Sequence, residues 1–67
     1  MNLERGRVIR DKEDKVLWKI TADYREVDTK LDFEIKNLNH EHYNTVTEYE
    51  IINNIETGKW QLVNLNG

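Results

Sequence analysis

Between residues 16 and 24 the side chains alternate. Val16, Trp18, Ile20, Ala22 and Tyr24 hold the even positions, and Lys19, Thr21 and Asp23 hold the odd ones after Leu17. Successive side chains of a strand point to opposite faces, so this stretch predicts a half-buried strand. Residues 31–36 repeat the pattern, with Leu31, Phe33 and Ile35 inward and Asp32, Glu34 and Lys36 outward. Residues 25–30, Arg-Glu-Val-Asp-Thr-Lys, read as the hairpin loop between the two. Upstream, residues 5–10 make a weaker strand around Val8 and Ile9. The polar run at 11–15, Asp-Lys-Glu-Asp-Lys, turns that strand into the next.

Two patterns compete in the C-terminal third. Tyr43, Val46, Tyr49, Ile52 and Ile55 recur every three residues, which would give a helix over 41–56 an apolar stripe, with Gly58 capping its end. The same segment holds Thr45, Val46, Thr47, Ile51, Ile52, Ile55 and Thr57, all β-branched and better suited to a pleated surface. That composition favours strands. Gly58 then supplies the positive φ of a tight hairpin turn at 55–60, leading into a last strand that carries Trp60 and Leu62.

Five short strands joined by tight turns predict an all-β fold in a single domain, 1–67: a small five-stranded antiparallel meander or barrel-like sheet. The alternative is α+β, with a helix at about 41–56. A flat sheet of this size leaves an apolar face wet, so it must curl or pair with a second copy. The expected core is Trp18, Ile20, Tyr24, Leu31, Phe33, Ile35, Tyr49, Ile51, Trp60 and Leu62.

Composition narrows the context. There is no Cys, which removes thiol nucleophiles, thiolate zinc sites and a disulfide framework together. Residues 1–7 contain no apolar run of signal-peptide or membrane-span length, so a cytoplasmic protein with no membrane association is expected. Ser and Pro are absent while Asn, Ile, Lys and Glu abound, a bias common in AT-rich bacterial and phage genomes. The net charge of −3 is unevenly placed: residues 1–20 carry six Lys or Arg against four Asp or Glu, and the remainder carries four against nine.

Candidate chemistry is sparse. Asn-His-Glu-His-Tyr-Asn, 39–44, holds both histidines, and in an extended segment His40 and His42 would share a face. Two imidazoles can begin a metal site, but no third ligand stands at a diagnostic spacing, so the segment reads as a polar connection between the third and fourth strands. The carboxylate pairs Asp32/Glu34 and Glu48/Glu50 have the spacing of any outward strand face, and the three glycines are too scattered for a phosphate loop. No catalytic, cofactor or metal residues are assigned.

A binding role remains. With no Pro to block a sheet edge, strand addition by a protein partner or a second copy is the leading expectation. The alternative is a single-stranded nucleic-acid binder using a basic N-terminal surface, whose candidate residues are Arg5, Arg7, Arg10, Lys12, Lys15 and Lys19, with Trp18 and Tyr24 on one face of the second strand.

Overall fold

The computed structural model describes residues 3–25 and 31–63. Along them run strand β1 (Val8–Asp11), β2 (Val16–Arg25), β3 (Leu31–Asn37), β4 (Tyr43–Thr47), helix α1 (Glu48–Glu56) and β5 (Trp60–Val63). The five strands form one antiparallel sheet in the order β4-β3-β2-β1-β5. β1 to β4 are the expected meander. The loop expected at 25–30 falls on residues 26–30, outside the described residues, and Arg25 still belongs to β2.

The segment at 41–56 divides between the two competing patterns. Residues 43–47 are strand and 48–56 are helix. The division is made by Thr47, whose hydroxyl accepts the Glu50 N–H at 3.0 Å as the helix N-cap. The Glu50 carboxylate returns to the Thr47 hydroxyl at 3.3 Å. This Thr-x-x-Glu arrangement satisfies a backbone donor that the first helical turn leaves open, and it places Glu48 and Glu50 at the positive end of the helix dipole. Local capping therefore outweighs the β-branched composition of 51–55.

The tight hairpin expected at 55–60 does not form. Gly58 has φ of +85° and ends the helix instead, with the Thr57 N–H bonded to the Asn53 carbonyl and the Gly58 N–H to that of Ile55. The helix then carries the chain across the sheet, so β5 pairs with β1 rather than with β4. The sheet stays open, with β4 and β5 at its two edges.

Helix α1 contacts β3, β4 and β5 from one side. Ile51, its one fully buried residue, completes a core with Ile9, Ile20, Phe33 and Ile35. Trp18, Leu31, Trp60 and Leu62 pack around this cluster as expected, together with Leu3, Val46 and Ile55. Two expected core residues are instead on the surface: Tyr24 is 49% exposed and Tyr49 is 76% exposed.

Tyr49 is exposed because a helix replaces the strand that would have turned it inward. Tyr24 is displaced by a β-bulge. Ile20 pairs with Ile35 but Ala22 pairs with Glu34, which leaves Thr21 without a partner of its own. One extra residue reverses the alternation of everything that follows it. Tyr24 thus pairs with Asp32 on the open face and no longer shares a face with Trp18.

Candidate functional site

The face of the sheet away from α1 is uneven: Val8 at its centre is buried, while Arg10, Lys19 and Tyr43 are exposed. Its residues fall into rows set by the strand register. One row crosses all five strands: Val63, Val8, Lys19, Lys36 and Tyr43. The next row toward the β1–β2 turn holds Gln61, Arg10 and Leu17. In the other direction stand Ala22, Glu34 and Thr45, then Tyr24, Asp32 and Thr47. The face is therefore polarised, basic toward the β1–β2 turn and acidic toward the opposite end.

Lys19 and Lys36 are direct cross-strand partners. Like charges in that position repel and lower stability. Arg10 lies diagonally from Lys19, two pairs along the β1–β2 ladder and so in the next row of the same face. Lys36 is moderated by the Glu41 carboxylate at 3.7 Å, and its Nζ lies 5.8 Å from the centre of the Tyr43 ring. The Tyr43 side chain is half exposed at the end of the row, which leaves ring surface accessible to a ligand.

At the turn end, Arg10, Asp11, Lys12, Lys15 and Leu17 line an open cleft of about 310 Å³. The Asp11 carboxylate is engaged locally: its Oδ1 accepts the backbone N–H groups of Glu13 at 3.0 Å and Asp14 at 3.1 Å, which closes the turn. The Lys12 N–H bonds to the Lys59 carbonyl at 2.9 Å, bringing a third lysine, beside Lys12 and Lys15, to this end of the sheet. Lys15 adopts φ of +56°, a left-handed conformation that costs an L-residue with a Cβ about 1 kcal/mol relative to glycine.

The six basic residues singled out in the sequence are thus divided. Arg10, Lys12 and Lys15 meet in the cleft, and Lys19 continues from it along the open face. Arg5 and Arg7 precede β1 at the other end of that strand. The Arg5 Nε donates to the Asp23 Oδ1 at 3.1 Å. Arg7 is half-buried, and its Nε has no hydrogen-bond partner among the described residues. Lys36 and Tyr43 join the surface without having been expected there, because only the β3 register shows which lysine faces Lys19.

The histidine segment connects β3 to β4, as expected. The Asn37 side chain folds its start by accepting the Asn39 N–H at 2.8 Å, and the Asn37 N–H bonds to the His42 carbonyl at 2.8 Å. His42 lies against Trp18, with ring centres 6.2 Å apart. Among the described residues no group of three or more His, Asp or Glu side chains is placed to hold a metal ion. No described helix is long and apolar enough to cross a membrane.

The sheet has two open edges among the described residues, β4 and β5; β5 reads Trp-Gln-Leu-Val and runs on into residues outside the described ones, whereas β4 is described along its whole length. β4 reads Tyr-Asn-Thr-Val-Thr, with no charge, no proline and no bulge in its pairing to β3, and its first three residues are exposed. No protein family matches the chain, and neither characterised proteins nor solved structures give a match.

Proposed function

We propose that this protein is a small non-catalytic binding module that works in the cytoplasm through protein–protein contact, and that its first partner is a second copy of itself joined along β4. The carrying observation is the uncharged, unblocked β4 edge in a chain of which 34% is charged. Open edges of this kind are ordinarily protected by lysine, proline or a bulge, because their unpaired N–H and C=O groups recruit another strand.

A two-fold axis through Thr45 pairs Tyr43 with the mate's Thr47, and Asn44 with its Val46. This antiparallel arrangement is isologous and closes after two copies. It also sets the basic row of one sheet, through Lys36 and Tyr43, in line with the mate's acidic row of Thr47 and Asp32. The charges are complementary across the seam. Both helices then lie on one side of a ten-stranded sheet, and both open faces lie on the other.

Thr45→Lys tests the pairing. The new cation stands beside Glu34, its direct partner in β3, so the domain keeps its fold. Sedimentation equilibrium should show a concentration-dependent dimer for the native chain and a monomer for the variant, with the β4 amides protected from exchange only in the dimer. A native chain that stays monomeric at millimolar concentration overturns the proposal.

A further inference from the structure

We propose that the basic half of the open face binds single-stranded nucleic acid, with phosphates along Arg10, Lys19 and Lys36, a base stacked on Tyr43, and the strand continuing into the cleft between Lys12 and Lys15. The proposal concerns the side chains of the sheet face, whereas the dimer uses the backbone edge of β4; Tyr43 belongs to both, and the binding reading does not require the dimer.

Four observations carry it. First, the cations are grouped although the chain is acidic overall: the two rows that hold Arg10, Lys19 and Lys36 contain no carboxylate. Second, Arg10, Lys12, Lys15 and Lys19 have no ion-pair partner among the described residues, so their charge is available to a ligand. Third, Lys19 faces Lys36 directly, an arrangement that raises the energy of the free protein and is relieved by an anion seated between the two. Fourth, the row ends on a half-exposed aromatic ring, Tyr43.

The aromatic ring separates the ligand classes. A positive groove alone would suit any polyanion. A cationic row ending on an accessible ring is suited to a ligand whose phosphates and flat bases alternate, provided the bases are unstacked and free to turn toward the sheet. A duplex keeps its bases stacked inside and offers Tyr43 nothing. Specificity for base sequence is not expected, since ring stacking accepts any base and the row presents no set of donors and acceptors aimed at base edges.

Fluorescence anisotropy with a labelled oligo(dT) at micromolar chain concentration tests this. Binding should weaken linearly in log salt with a slope of about −3, as about four phosphate contacts on a single strand predict. Lys19→Gln should lower affinity severalfold and reduce the slope by about 0.7, the loss of one contact. Tyr43→Leu should lower affinity with the slope unchanged, because stacking releases no counterions. Arg5→Gln, outside the strip, should leave both unaltered, and circular dichroism checks that each variant is folded. Absence of binding at low salt overturns the proposal, as does native-like binding by the folded Lys19→Gln variant. Equal affinity for inorganic polyphosphate or for anionic phosphatidylserine vesicles overturns the nucleic-acid assignment. A dimer that forms normally while oligo(dT) fails to bind would reject this inference and leave the β4 pairing intact.

Discussion

The Thr21 hydroxyl donates to Glu34 twice, to its backbone carbonyl at 3.2 Å and to its carboxylate at 2.8 Å. The contact sits at the bulge where β2 reverses its faces, so one side chain holds in place the residue that decides whether Tyr24 is core or surface. Thr21→Val keeps the β-branched shape and removes both bonds. It is expected to cost about 1 kcal/mol, read as a fall in Tm of about 4–8 °C for a domain of this size. Deleting Thr21 removes the extra residue, so Ala22, Asp23 and Tyr24 keep their pairing with Glu34, Phe33 and Asp32 in a ladder without a bulge. The deletion variant should therefore still unfold cooperatively, with Tyr24 still on the open face.

Much of the sheet was legible because alternation is a direct readout of burial. β2 and β3 are visible in their side-chain pattern, and Ile20, Phe33 and Ile35 are buried as that pattern requires. The bulge is not visible in the same way. Ile20, Ala22 and Tyr24 continue an unbroken alternation on paper, and the extra residue becomes apparent only against the partner strand. The cross-sheet row is hidden for the same reason: Lys19 and Lys36 are far apart in sequence and become neighbours through register alone. Arg10, Lys12 and Lys15 were easier to associate, since a tight turn brings close sequence neighbours together. The helix had a usable signal in Thr47 and Glu50, a capping box immediately before a run of apolar residues. The periodicity of three through Tyr43 and Tyr49 obscured it, because the buried side of α1 is instead Ile51 with Ile55, four residues apart.

Both ends of α1 are set by single residues, and each makes a prediction. Thr47→Ala removes the cap and is expected to cost about 1 kcal/mol, whereas Thr47→Ser keeps the hydroxyl and most of the stability. Gly58→Ala is informative because a Cβ there meets nothing within 4 Å. Its expected cost of about 1 kcal/mol is purely conformational, from the φ of +85°. Chemical denaturation should show a lower midpoint with an unchanged m-value for both destabilised variants. A native midpoint for Gly58→Ala would mean that the helix end relaxes into a right-handed conformation.

Ile51 is the helix's main anchor on the sheet, fully buried against Ile9, Ile20, Phe33 and Ile35. Ile51→Ala should cost about 2–5 kcal/mol, which is a large part of the stability available to 67 residues. Tyr49→Ala, two positions earlier on the exposed side, should change stability by less than about 0.5 kcal/mol. The contrast in urea midpoints between these two variants checks the placement of the helix. Comparable losses for both would mean that the Tyr49 side of the helix is also covered.

Lys15 provides the sharpest separation between stability and binding. Its φ of +56° is a conformation that asparagine tolerates better than lysine, and its side chain lines the basic cleft. Lys15→Asn should therefore stabilise the fold by about 0.5 kcal/mol, a rise of about 2–4 °C in Tm. The same substitution removes a cation from the nucleic-acid path, so the affinity for oligo(dT) should fall and the salt slope should decrease by about 0.7. A variant that gains stability while losing affinity identifies a lysine held in a strained position for its charge. If stability rises and binding is untouched, the strand path does not enter the cleft and runs only along Arg10, Lys19 and Lys36. If stability falls, the Lys15 side chain contributes packing within the β1–β2 turn that outweighs the strain in its backbone.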